Sequence, residues 1–253
     1  MSSLPLDSLQ DELTRIVDQA ESEGILLRLL GGLAVQLHSP SANHRELQRS
    51  YPDLDFITDA KGGQKLPSFL TGMGYSPDKR FNTLNGARRQ LYFDDQHGRQ
   101  IDIFVGAFEM CHKLPLAPRL PIESPTIPLA ELMLTKAQIV ELNRKDVLDL
   151  LALFLDHPVG ISDDETINQE VIAALCAKDW GLYTTLQLTL EKLRTFLTKG
   201  EVNLSDAQLQ TLTGRFQQLE TFIDAAPKTT AWKLRAKIGK RKRWYEEVEE
   251  VQR

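Results

Sequence analysis

Proline punctuates this chain in one place above all. Between Leu114 and Pro128 stand Pro115, Pro118, Pro121, Pro125 and Pro128. A ring that fixes φ and removes the N–H donor keeps helices and inner strands out of such a stretch. The character of the chain changes across it: strand and helix signals alternate before it, and almost everything after it reads as helix. A domain boundary is expected here, with residues 1–125 as an α/β unit and 126–253 as a helical one. The fold class is therefore α+β, a mixed sheet with flanking helices followed by a C-terminal α-helical bundle.

In the first half, Leu9, Leu13, Ile16, Val17 and Ala20 recur at helical spacing over Leu6–Glu23, and Gly24 stops the helix. The short apolar run Ile25–Leu30 reads as a buried strand. Gly31-Gly32 then turns the chain into a helix over Leu33–His38, and polar Ser39–Tyr51 reads as a loop. Asp53–Thr58 alternates acid and apolar residues, as a strand does. A helix over Leu66–Met73 ends at Gly74, and two strands, Arg88–Phe93 and Gln100–Val105, are joined at Asp94–Gly98. In the second half the spacing predicts helices over Leu129–Glu141, Asp146–Leu155, Thr166–Ala177, Leu182–Leu197, Asp206–Ile223 and Thr230–Val248, with Ser205 or Asp206 as a cap for the fifth.

Hydrophobic residues make up 42% of the 253 and charged residues 26%, which excludes a disordered or collagen-like chain. No apolar run approaches the roughly 20 residues of a membrane helix, and the N-terminus lacks the basic and apolar parts of a secretion signal. Cys111 and Cys176 form neither a disulfide framework nor a CxxC pair, so a reducing cytoplasm is the expected location. The net charge of −5 conceals an asymmetry. Lys228–Arg243 carries eight basic residues and no acid, interleaved with Trp232 and followed by Trp244, Tyr245 and a run of glutamates.

Three aspartates carry the chemistry. Asp53 and Asp55, at i and i+2 of a strand, point to one face while Leu54 and Phe56 point to the other. Asp102 repeats the pattern between Ile101 and Ile103. If the two strands are neighbours, three carboxylates converge. Two carboxylates about 4 Å apart repel by about 4 kcal/mol at an effective dielectric of 20, so the patch needs a counter-charge. A divalent cation supplies one, and an all-oxygen ligand set suits Mg²⁺ or Mn²⁺. None of the five histidines lies at ligand spacing from another, which argues against zinc. Upstream, Gly31 and Gly32 sit where a strand hands over to a helix, a place where backbone N–H groups meet a phosphate closely.

Gly31-Gly32, Asp53-Leu54-Asp55 and Asp102 within Gln100-Ile-Asp-Ile-Phe104 together resemble the signature of the nucleotidyltransferase (DNA polymerase β-like) superfamily. The resemblance implies a nucleotidyltransferase-type sheet. It also implies a Gly-Gly turn holding the phosphates of an NTP, and two Mg²⁺ bound by Asp53, Asp55 and Asp102. A nucleotidyl group would pass to a hydroxyl, with Asp102 helping to deprotonate it. A second block, Leu134-Thr-Lys136-Ala-Gln-Ile139 and Asn143-Arg144-Lys145-Asp146-Val-Leu-Asp149-Leu150, resembles the helical motifs of abortive-infection (AbiE-type) toxin nucleotidyltransferases. It implies that Lys136 reaches the triphosphate, that Asp146 sits beside the active site, and that an antitoxin protein is a partner.

The resemblance covers residues 24–155 and departs from the usual pattern twice. Gly32 stands where a serine hydroxyl is often found. The insert Ser39–Tyr51, carrying Arg45 and Arg49, lengthens the spacing to Asp53. The acceptor stays open between a tRNA 3′ end, which the basic tail would suit, a small molecule such as a metabolite or antibiotic, and a protein hydroxyl. A catalytically inactive relative that binds a nucleotide or a protein is the alternative from another class.

Overall fold

The computed structural model describes residues 4–247. The chain divides into two compact units. The first holds the chain up to Ala34, Ser50–Glu109 and Lys113–Pro128. The second holds Val35–Arg49, Met110–His112 and the chain from Leu129 on.

The first unit is built on a five-stranded mixed sheet. In chain order its elements are α1 (Leu9–Ser22), β1 (Leu27–Leu30), the first residues of α2 (Gly31–His38), β2 (Leu54–Thr58), α3 (Ala60–Gly72), β3 (Ser76–Pro77), α4 (Lys79–Asn85), β4 (Arg89–Asp94) and β5 (Arg99–Val105). The sheet order is β1-β2-β5-β4-β3. Only β2 and β5 run parallel; every other pair is antiparallel. Leu54, Phe56, Ile101 and Ile103 are all buried, as the alternation of acid and apolar residues predicts.

Side chains start the helices of this unit. Ser8, Asp59 and Asp78 each accept a hydrogen bond from the N–H three residues on, capping α1, α3 and α4. The proline-rich segment has a structural use at the sheet edge. Pro125 offers its carbonyl to the Leu29 N–H at 2.8 Å, and the Ile127 N–H donates to the Leu29 carbonyl at 3.1 Å. Pro125 thus serves the edge through its carbonyl alone, whereas Pro118 and Pro121 lie in a 3₁₀ helix, Ala117–Ile122, where the sequence predicts no helix.

The second unit is mostly helical: the end of α2, a 3₁₀ turn at Pro40–Asn43, α5 (Leu129–Ala137), α6 (Arg144–Asp156), α7 (Gln169–Cys176), α8 (Trp180–Thr198), α9 (Asp206–Ala225) and α10 (Thr230–Ile238). The stripe Leu182, Leu186, Leu190 and Leu193 is buried. Ser205 caps α9 in a reciprocal capping box with Gln208. Several elements differ from expectation: α3 starts at Ala60 rather than Leu66, α4 is an added helix, and α5 ends at Ala137 rather than Glu141. The helix expected from Thr166 starts at Gln169, because Ile167–Asn168 pairs as a parallel bridge with Val159–Gly160 and the Asn168 side chain caps the helix. The last helix stops at Ile238, because Gly239 takes a left-handed φ of 61°. Val248 lies outside the described residues. No helix among the described residues is long and apolar enough to cross a membrane, and both cysteines are buried as free thiols.

Candidate active site

The acids of the first unit meet through strand register. β2 and β5 are adjacent and parallel, with Asp55 opposite Asp102, so both carboxylates rise from the same face of the sheet. Asp53 stands one residue before β2, exposed, and accepts a hydrogen bond from the Gln100 N–H at 3.3 Å. On the other side of β2, Leu30 at the end of β1 is paired with Asp55. The next residue, Gly31, has a φ of +75°, a conformation that side chains resist. A Cβ there would lie 2.9 Å from Asp55 Cγ. Gly31 is therefore required twice, by its backbone angle and by the carboxylate packed on it. Gly31 and Gly32 form the first turn of α2, whose N–H groups have no acceptor within the helix.

The counter-charge that the acid patch needs is present in the protein. Arg89 of β4 donates through Nε to both oxygens of Asp102, at 2.8 and 3.0 Å, and pairs with it through Nη2 as well. The guanidinium lies 5.0 Å from the centroid of the Phe104 ring and 6.0 Å from that of Phe81, a cation–π setting that favours its charge. Burial pushes the Asp102 carboxyl up, against the pull of Arg89 and with help from the charge of Asp53. Burial works against the charge of Arg89, but the hydrogen bond and charge of Asp102, with the charge of Asp55, outweigh it, so Arg89 is held above its ordinary value.

Arg89 was legible in principle. Leu91 is opposite Asp102 in the β4–β5 pairing, so Arg89 is the diagonal neighbour of Asp102 on the same face. Read along one strand only, Arg88-Arg89 looks like solvated charge.

Lys136 and Asp146 belong to a second constellation, inside the helical unit. Lys136, near the end of α5, pairs with Asp149 at 2.9 Å and with Asp146 at 3.2 Å. Arg49, from the insert, closes a bidentate pair on Asp149 at 2.7 and 2.6 Å. Asp149 is buried. The Asn143 side chain caps α6 by accepting from the Asp146 N–H at 3.0 Å. Burial works against the charge of Lys136, yet Asp149 and Asp146 outweigh it and raise its pKa, with Arg49 opposing them. Arg49, a loop arginine by sequence, is half of an ion pair on a buried carboxylate.

The aromatic residues of the basic tail pack on their own unit. Trp244 donates from Nε1 to Thr185 Oγ1 at 3.0 Å, and Trp232 meets the Tyr183 ring edge-on at 5.3 Å. Arg235 lies 4.6 Å from the Trp180 ring centroid and Lys240 5.8 Å from that of Trp244.

No family model matches the chain, and no curated protein does. Among solved structures, it is similar to an antigenic nucleotidyltransferase-like protein from Paracoccidioides brasiliensis. That likeness has 17% identity and a TM-score of 0.38, over 90% of this chain and 97% of the other.

Proposed function

We propose that the protein is a Mg²⁺-dependent nucleotidyltransferase, moving an NMP group from an NTP to a hydroxyl acceptor with release of pyrophosphate. The observation that supports this reading best is the pairing of Asp55 with Asp102 across parallel strands, with Gly31 packed on the Asp55 carboxylate. The donors are all oxygen, which fits Mg²⁺ or Mn²⁺, and Asp53 and Asp55 would hold the metal, with Asp102 as the third ligand. Bound with the nucleotide, the metal would neutralise phosphate charge and polarise the phosphoryl group under attack.

The chain's own residues do the rest. The free N–H groups of the turn at Gly31 and Gly32 would bind the phosphates. The acceptor oxygen bonds to the α-phosphorus as the bond to pyrophosphate breaks. Asp102 would take the acceptor's proton, held in one orientation by Arg89. Lys136 has three ammonium N–H groups and two carboxylate partners, Asp146 and Asp149, so the third N–H is the one it would offer to a triphosphate.

Under this reading the acceptor is a tRNA end, a small molecule or a protein hydroxyl. An AbiE-type toxin would add an antitoxin partner and a cytoplasmic setting. The test is pyrophosphate release with each NTP across an acceptor set that starts with tRNA. Release that needs Mg²⁺ and is lost in Asp53→Ala supports the reading; full activity in Asp53→Ala contradicts it.

The second reading is a non-catalytic nucleotide-binding relative. What favours it is Arg89, which already supplies Asp102 with the positive charge that a metal would bring. On that reading nucleotide binds without turnover, and Arg89→Met restores no metal dependence.

A further inference from the structure

The helical unit carries a second cluster of metal-ligand chemistry, independent of the aspartates. His38 ends α2, His157 follows the last residue of α6, and Glu165 lies in the loop that leads to α7. One ligand atom from each lies within 4.8 Å of the other two. Sequence spacing hides this cluster, because the histidines are 119 residues apart.

The local geometry prepares the site. His157 is buried. Its Nε2 lies 3.2 Å from the His38 carbonyl, and its Nδ1 faces the Glu165 carbonyl at 3.3 Å and the Glu165 carboxylate at 3.5 Å. A neutral imidazole has one N–H. If Nε2 donates it to the His38 carbonyl, the Nδ1 lone pair confronts two oxygens. A cation at Nδ1 turns that repulsion into ligation, and the Nε2–H bond to a backbone carbonyl is the usual support for a metal-bound histidine. The His38 ring stands edge-on to His157, with centroids 5.9 Å apart.

Both chain segments are held firmly. Asp156 accepts from the Ser41 N–H at 2.8 Å and from its hydroxyl at 2.6 Å, which ties the turn after His38 to the end of α6. Glu165 is the one non-glycine residue among those described with a positive φ, 46°. Backbone held in this way persists where its surroundings over-determine it.

We infer that His38, His157 and Glu165 form a binding site for a divalent transition metal of the zinc class. Two imidazoles and one carboxylate leave the fourth tetrahedral position to water. The bound ion would clip the ends of α2 and α6 to the 161–165 loop.

The test is metal titration of the full chain after chelator treatment, with Zn²⁺ followed by calorimetry and Co²⁺ by visible absorption. The expected result is one Zn²⁺ bound per chain with a four-coordinate cobalt spectrum. Glu165→Gln and His38→Gln each change a direct ligand, so each should weaken binding by more than the roughly 10–100-fold that loss of a ligand's supporting partner costs. Glu165→Gly removes the ligand while relieving the positive φ, so it loses the metal yet keeps its circular dichroism. Asp53→Ala/Asp55→Ala should bind Zn²⁺ as tightly as the wild type, which separates this site from the nucleotide site. Equal Zn²⁺ binding by wild type, His38→Gln and Glu165→Gln, no binding by the wild type, or loss of binding in the double aspartate variant would overturn the inference.

Discussion

Arg89 and Asp102 are bound to each other through both carboxylate oxygens, on adjacent strands of the sheet that carries the candidate active site. Asp102 is 5% exposed, so removing Arg89 strands a buried carboxylate. Arg89→Met should cost about 3–5 kcal/mol, the usual penalty for breaking a buried pair from one side. Arg89→Met/Asp102→Asn should recover much of that loss. Urea unfolding of the two variants measures the difference. If Asp102 also ligates a metal, Mg²⁺ should stabilise Arg89→Met more than it stabilises the wild type.

Gly31→Ala places a Cβ on the Asp55 carboxylate in a backbone conformation with φ +75°. Strain of this kind costs of order 1–3 kcal/mol, and the carboxylate has to move. The expected outcome is a protein that still folds, with a lowered Tm and no stabilisation by nucleotide. A variant with unchanged nucleotide binding would separate the glycine turn from the phosphate site.

Lys136 stands between two acids, so its removal is first a stability event. Lys136→Met should destabilise the chain by about 1.5–3 kcal/mol, the scale of a charged hydrogen bond, because Asp149 keeps its bidentate partner Arg49. A double-mutant cycle of Lys136→Met with Asp149→Asn should return a clear coupling energy. An additive cycle would show that the pair contributes nothing of its own.

His112 gives a pH dependence with a definite sign. Burial pushes its imidazole below 6.5, with the charge of Asp179 opposing, and Thr185 lies 2.8 Å from its Nε2. The unfolded chain therefore takes up a proton that the folded chain resists. The contribution of His112 is complete above pH 6.5 and declines as pH falls below it, towards the lower pKa of the folded state. Thermal unfolding from pH 7.5 to 5.5 should show a steeper loss for the wild type than for His112→Gln. Parallel curves would contradict the assignment.

Two strands of the first unit, β2 and β5, are readable because acids stand between apolar residues in them. Asp53–Thr58 and Gln100–Val105 carry their own face assignment, and the Asp55–Asp102 meeting follows once the strands are neighbours. That adjacency itself is a matter of topology, which periodicity along one strand does not contain. The role of Arg89 is hidden for the same reason, since its partner is specified by a hairpin register rather than by a local motif. Distance hid His38, His157 and Glu165: three elements far apart in sequence share one corner of the helical unit. The end of α10 falls short of the spacing-based expectation because the basic run beyond Ile238 keeps a helical look, whereas Gly239 takes a φ of 61° and turns the chain.

The most direct test of the nucleotide site is a thermal-shift titration of the four NTPs, with and without Mg²⁺, on the wild type and on Asp53→Ala/Asp55→Ala. The account predicts stabilisation of the wild type by at least one NTP, strictly dependent on Mg²⁺ and absent from the double variant. A wild type that no nucleotide stabilises, or a double variant that responds equally, would contradict it.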